Sequence, residues 1–260
     1  MIANIVQIYL SKDLLWSWVR RTVSARYQQS LLGGLWIIIQ PTATVIILSI
    51  IFTYFIPIDT GEIPYIVFSY VAVIPWSFFS SSLTDMSFSL VQNMGLITKI
   101  YFPREILPLS AMMARLLDLG VASVLLIVLM LIYQSPAYPI GWLYLPLILI
   151  IQIALILGLG LFVAALNVFF RDVQSMLTLI LQIWFYASPI IYPVTLVPEN
   201  LRPYYFLNPM AGILEAYRAV LLYQTLPGNY LLISGLISLF VFFFGYWFFL
   251  QVEYQFADII

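Results

Sequence analysis

Glu199 and Glu215 share one stretch, residues 195–228. Two carboxylates are what glycosyl chemistry needs, an acid for the leaving oxygen and a base or nucleophile opposite it. Each has an arginine three residues on, Arg202 and Arg218, and charges spaced this way pair on a helix surface. That favours a structural role over a catalytic one. Arg115 and Asp118, also three apart, are the charges of an otherwise apolar run. Ion-coupled carriers place several ionisable groups in mid-membrane. Two are a thin basis for a relay, so mutual pairing is the reading, with the stem of Arg115 snorkelling toward the near end of the run. The chain contains neither histidine nor cysteine. An imidazole base, a Ser-His-acid triad, a Cys/His zinc site and a disulfide are therefore all excluded. Gly-Lys occurs nowhere, so there is no P-loop to cradle ATP. There is no Asp-x-Asp metal motif either.

The elements that carry these residues are set by composition. Of 260 residues 63% are hydrophobic and 8% charged, against roughly 25% charged in a soluble domain. So few charges cannot cover the surface of a water-soluble globule. A net charge of −1 argues against nucleic acid, which calls for a basic patch. The class is an all-α integral membrane protein. About 20 apolar residues cross the hydrocarbon as a helix, and six runs meet or approach that length: 35–56, 63–83, 106–133, 142–170, 176–194 and 229–250. Lys12, Arg20, Arg21, Arg26, Lys99, Arg104 and Arg171 fall on one side, Arg202 and Arg218 on the other. Positive charge gathers inside, so both termini are expected on the cytoplasmic side.

Residues 1–10 are apolar too early for a secretory signal. Residues 11–28 read as an amphipathic helix in the membrane interface. Ser17, Arg20, Arg21, Ser24 and Gln28 form one stripe and Trp16, Val19, Val23 and Tyr27 another. Such a helix serves either as a topological anchor or as a docking surface. The domains are therefore 1–30, an interface helix, and 31–260, a six-helix membrane domain. Between the fifth and sixth runs, Asn208-Pro209 starts a helix cleanly. It should reach about Gln224, too short to span. Residues 195–228 are expected to hold a pair of short external helices, re-entrant or lying on the surface.

Three stretches stand out. The loop 92–108 carries Lys99, Arg104 and Glu105 around Ile100-Tyr101-Phe102, and is expected either to form a short helix with an apolar side for a cytoplasmic partner or to be a solvated loop. Residues 167–173 make a tight internal corner. Ser188-Pro189-Ile190-Ile191-Tyr192-Pro193 ends the fifth run, where two prolines free backbone carbonyls. Aromatics form 17% of the chain. Some belong to interfacial belts; others cluster within runs, among them Tyr54, Trp184 and Tyr186, whose flat faces suit the C–H faces of sugar rings, although lipid-facing filler is the commoner role for any single one. Ala154, Gly158, Gly160 and Ala164 give small-residue spacings that permit close helix packing.

Taken in order, Ser30 to Trp36 with Gln40-Pro41, Lys99 to Pro108, Asn167 to Val173, Ser188 to Pro193, and Leu207-Asn208-Pro209 followed by Glu215 and Arg218 resemble the permease subunit of type-2 ABC exporters. The likeness is to the branch that exports polysaccharide, O-antigen and teichoic acid, and it covers about residues 10–250. It implies a homodimer of six-helix permeases in the bacterial cytoplasmic (inner) membrane, joined to two copies of a separate ATP-binding subunit. The permease itself is then no enzyme and needs no cofactor, since ATP and Mg2+ belong to that partner. By the same likeness Arg20, Arg21, Lys99, Arg104, Glu105, Arg171 and Asp172 lie at the ATPase interface. Tyr54, Trp184 and Tyr186 become sugar-facing aromatics of a channel lined by the first and fifth spans. Tyr192, Glu215 and Arg218 belong to an external gate. The expected cargo is a lipid-linked glycan, a lipopolysaccharide precursor or teichoic acid, that slides over the aromatics toward the outside. Two rivals remain at this level: a drug- or lipid-exporting permease of the same superfamily, and an integral membrane glycosyl- or acyltransferase acting through Glu199 or Glu215.

Overall fold

The structure, a computed structural model, describes residues 7, 10–28, 30–100, 102–134 and 138–257. An interface helix, α1 (Lys12–Tyr27), precedes α2 (Trp36–Ile50), which widens into a π turn at Ile51–Phe55. The other long helices are α3 (Tyr65–Ser89), α4 (Ile106–Ile132), α5 (Leu145–Phe169), α6 (Val173–Ala187), α7 (Pro209–Leu221) and α8 (Tyr230–Val252). Single helical turns occur at Met94–Ile97, Pro139–Trp142 and Arg202–Tyr205. Among the described residues five helices are long and apolar enough to cross a membrane, and α6 is a shorter apolar one. The chain is an all-α integral membrane protein.

The sixfold pattern of apolar runs holds, with one instructive change. The fifth run is helical only from Val173 to Ala187, because Ser188 turns extended and Pro189 cannot continue the helix. The helix begun at Asn208-Pro209 closes at Leu221, short of the expected Gln224, whose φ of +53° lies in the left-handed region. Residues Met1–Val6, the first part of the expected apolar N-terminus, and Tyr101 of the internal loop lie outside the described residues.

Helix α3 is the axis of the bundle. It is buried along most of its length, with α2, α4, α5, α6 and α7 packed around it. Several of its serines spend their hydroxyls on their own helix, as Ser69 does on the Tyr65 carbonyl and Ser89 on the Met86 carbonyl, which is how a hydroxyl survives in an apolar span. Gln152 of α5, fully buried, donates to the Pro75 carbonyl at 2.8 Å and accepts from Tyr217 at 3.1 Å. One amide thereby ties α3, α5 and α7 together. Asn167 likewise donates to the Ser87 carbonyl at 2.8 Å. Helices α5 and α8 pack closely along their length through glycine, as the small-residue spacing on the fourth run anticipates.

Helix α1 docks on α4 with Trp18 and Val19 buried, so Trp16, half exposed, does not belong to the docking face its stripe suggests. In the loop a 3-10 turn at Val91–Asn93 and a helical turn at Met94–Ile97 precede the start of α4 at Ile106, and Phe102 is buried in the chain's own core. Of the apolar trio there, Ile100 is left exposed.

Candidate functional site

The densest polar assembly joins α1 to the bundle. Arg26, in the last turn of α1, donates to Asp85 at 2.5 Å and to Asp118 at 2.6 Å. Arg115 donates to Asp85 at 2.6 and 3.1 Å and to Asp118 at 3.3 Å. The Tyr27 hydroxyl donates to the other oxygen of Asp118 at 2.9 Å, its phenol held above the ordinary range by burial. Two arginines and two aspartates thus neutralise one another in a partly buried site. The expected pairing of Arg115 with Asp118 exists but is the longest contact; Asp85 and Arg26 complete it. Sequence reasoning passed over Asp85. The available signal was a lone carboxylate at the end of an apolar run, which needs a partner to lie there.

The residues anticipated at the cytoplasmic face fall at one end of the bundle, on α1 and in the loops between α3 and α4 and between α5 and α6. Arg20, Lys99, Arg171 and Asp172 are exposed. Arg21 is also exposed and stacks over Trp18 at 4.5 Å. Arg104 is half-buried, its guanidinium 5.9 Å from the Phe256 ring, and Glu105 is buried beneath that face. Five of the seven, two on α1 and three in the loops, are exposed at that end, while Arg104 and Glu105 are built into the fold.

The three anticipated sugar-facing aromatics separate. Tyr54, in the π turn that ends α2, is 76% exposed, and Tyr186 near the end of α6 is 60% exposed. Trp184 is half-buried against Phe79, 5.2 Å edge to face, and its indole N–H donates to Asn208 at 2.8 Å. Its N–H is therefore committed within the chain. A pattern not anticipated accompanies the tyrosines. On α6, Thr178, Gln182 and Tyr186 follow at i, i+4, i+8 and all face outward; on α2, Gln40 and Thr44 are exposed below Tyr54. Both helices flank α3. The Thr44 and Thr178 hydroxyls are met by carbonyls of their own helices, Gln40 and Gln174, but the outward amides of Gln40 and Gln182 favour water or a polar ligand beside them, since hydrocarbon penalises such groups. The four-residue spacing was present in the sequence; the direction of the face was not.

At the opposite end of the bundle the prolines free carbonyls that other helices capture. Tyr65 of α3 donates to the Ile191 carbonyl at 2.7 Å, and Arg218 of α7 to the Ile190 carbonyl at 2.9 Å. Asn208 caps α7 by accepting from Met210 N–H at 3.0 Å, as Asn208-Pro209 foretells, and donates to the Ser188 hydroxyl at 3.0 Å. Tyr192 donates to the Tyr186 carbonyl at 3.2 Å, and Tyr205 to the Tyr192 hydroxyl at 3.2 Å. The expected Glu215–Arg218 pair forms at 4.0 Å, but it is no surface pair. Arg218 is wholly buried with its guanidinium 3.7 Å above the Phe68 ring, a cation–π contact strengthened by the absence of water. Burial raises the Glu215 carboxyl, with Arg218 opposing. Glu199, by contrast, is 90% exposed and pairs with Arg202 at 3.7 Å. Among the described residues no group of three or more acidic side chains is placed to hold a metal ion.

A family model described as ABC-2 type transporter matches residues 13–222. The O-antigen export system permease protein RfbA of Myxococcus xanthus is 32% identical over 230 residues, 87% of each chain. A protein of the same name from Klebsiella pneumoniae is 30% identical over 250 residues, 95% of each. The polysialic acid transport protein KpsM of Escherichia coli is 27% identical over 233 residues, 85% of this chain and 87% of its own.

Proposed function

Because this chain belongs to the ABC-2 type transporter family, we propose that it is the membrane permease of an ATP-driven polysaccharide exporter. One observation carries the conclusion: relatives named for O-antigen export and for polysialic acid transport align along 85 to 95% of this chain.

The finer reading is as follows. The chain works as a homodimer in the bacterial inner membrane, both termini cytoplasmic, with two copies of an ATP-binding subunit that hold ATP and Mg2+. The surface bearing Arg20, Arg21, Lys99, Arg171 and Asp172 receives that subunit, with Arg104 and Glu105 bracing it from within. Movement of α1 is passed to α3 and α4 through Arg26, Asp85, Arg115 and Asp118. A lipid-linked glycan, of O-antigen or teichoic-acid type, enters from the cytoplasm and passes along the outward faces of α2 and α6. There the amides of Gln40 and Gln182 exchange hydrogen bonds with sugar hydroxyls, Thr44 and Thr178, whose protons go to carbonyls of their own helices, can only accept, and Tyr54 and Tyr186 stack on sugar faces. Trp184 supports the exit through Asn208. The outlet is governed by residues 188–193 with Tyr192, Glu215 and Arg218. Contacts of this weak, repeated kind tolerate many sugars and allow stepwise movement.

Deletion of the chain in its host tests the reading. The expected result is loss of a surface glycan with its lipid-linked form accumulating inside, restored by the native chain. Native mass spectrometry should recover two copies with two of an ATPase. Unchanged surface glycan, or a chain that never co-purifies with an ATPase, overturns it.

A further inference from the structure

A cavity of about 560 Å3 lies between α3, α4, α5 and α7, walled by Ile74, Leu126, Met130, Leu149 and Leu221 among others. We propose that it binds one acyl chain of a phospholipid from the external leaflet. The leaflet follows from the orientation proposed above; the chemistry stands without it.

Apart from the indole of Trp142 at its end, two polar side chains enter the wall, Ser123 and Tyr217, and neither has a hydroxyl proton to give. Ser123 donates to the Leu119 carbonyl at 2.8 Å and Tyr217 to Gln152 at 3.1 Å, whose own amide is spent on Pro75. A sugar or a headgroup would find little to bond with there, and water avoids so apolar a space. Emptiness is no alternative, because a void of this size forfeits the dispersion contacts of its whole lining. Ile127 and Leu131, at 57% and 73% exposure, border the cavity, and the medium they meet is hydrocarbon. Trp142, 43% exposed, stands at its external end, the depth at which tryptophans meet headgroups. At ~30 Å3 for a water-sized group such as a methylene, the volume matches one long acyl chain. No residue of α2 or α6 lines the cavity, so the occupant is not the anchor of a glycan on that path. Tyr217 and Leu221 make one wall, and a seated chain therefore supports α7 directly.

The test uses the whole exporter in vesicles of phosphatidylethanolamine and phosphatidylglycerol. A trace of phosphatidylethanolamine carries a diazirine at the end of one acyl chain. After illumination, the label should concentrate at the deep end of the cavity, on Leu119 and Leu126 of α4 and Leu149 of α5. Ser123→Trp, which fills the space, should abolish that label and leave unchanged any label on exposed Leu232 and Leu236 of α8. Met130→Trp, nearer the opening, repeats the test should Ser123→Trp fail to assemble. Label spread evenly over the outer surface, or undiminished in both variants, overturns the proposal. Displacement by the lipid-linked glycan also overturns it, assigning the cavity to the cargo. Labelling requires no transport, so it remains readable even if the polysaccharide assignment fails.

Discussion

Gly158 of α5 and Gly245 of α8 meet backbone to backbone. A methyl placed on Gly245 would fall on the Gly158 carbonyl, and one on Gly158 would come within 2.5 Å of the Val241 carbonyl. Neither neighbour can yield as a side chain would. Gly158→Ala and Gly245→Ala should each destabilise the fold by ~1–3 kcal/mol, the range for overpacking. Gly120→Ala has open space around it, and with alanine the better helix former it should do no harm. Detergent-solubilised protein heated stepwise and run on a sizing column gives the ranking; equal melting of all three would refute it.

The charge cluster makes a second prediction. Asp85→Asn leaves Arg115 and Arg26 short of negative charge in a partly buried site. Breaking a buried pair destabilises by ~3–5 kcal/mol, and the partial exposure here places the effect at or below the bottom of that range. The informative measurement is export set against ATP hydrolysis. Export should fall several-fold while hydrolysis continues, because α1 then moves without carrying α3 and α4. A parallel decline of both would mean simple misassembly.

Tyr65→Phe removes only the hydroxyl that holds the Ile191 carbonyl. Leaving such a buried acceptor unmet costs ~1–3 kcal/mol, and the release occurs at the outlet. Small-solute leakage through reconstituted protein should rise while the complex stays assembled. Arg218→Lys, which loses the planar stack on Phe68, should behave likewise. Wild-type tightness in both would exclude this segment as a barrier.

The absence of cysteine makes accessibility easy to probe. Single variants Thr178→Cys, Gln182→Cys and Tyr186→Cys should react with a hydrophilic thiol reagent in membranes, whereas Leu236→Cys on α8 should not. Uniform protection of the first three would place the α6 face against lipid or protein and remove the proposed path.

Glu199→Gln and Glu215→Gln separate the exporter from a transferase. Export should survive Glu199→Gln within about two-fold, since an exposed pair such as Glu199–Arg202 contributes about 0–1 kcal/mol; Glu215→Gln takes the carboxylate from the wholly buried Arg218 and should cost stability without abolishing turnover in the protein that assembles. Abolished turnover with intact assembly would restore the enzyme reading.

The spans were legible because membrane helices exclude charge, and Pro189 announced the shortened fifth one. The cap at Asn208 was legible because its chemistry is local. What escaped were contacts across long sequence separations. Asp85 finds Arg26 59 residues away, and nothing near either residue names the other. The spacing of Arg218 from Glu215 suggests half of a surface pair, yet among the described residues it is the largest fully buried side chain, its burial made tolerable by Phe68 and by a carbonyl 28 residues upstream. Phe102 sat in a basic loop and was read as outward-facing, while the fold draws it into the core. Periodicity reveals that a helix has two faces; only packing decides which one meets the protein.

Helix α6 has 15 residues and so rises ~22 Å, beside a hydrocarbon layer of ~30 Å. Where it stops, the irregular segment and its ring of tyrosine hydroxyls and carbonyls take over. The low-dielectric slab is therefore thinner here than elsewhere around the protein. For a hydrophilic polymer the transfer penalty grows with the length that is dehydrated at any moment, whatever its total length. A narrowed slab limits that length to a few sugars, leaving the remainder hydrated on either side, and makes the work per step independent of how long the chain has grown.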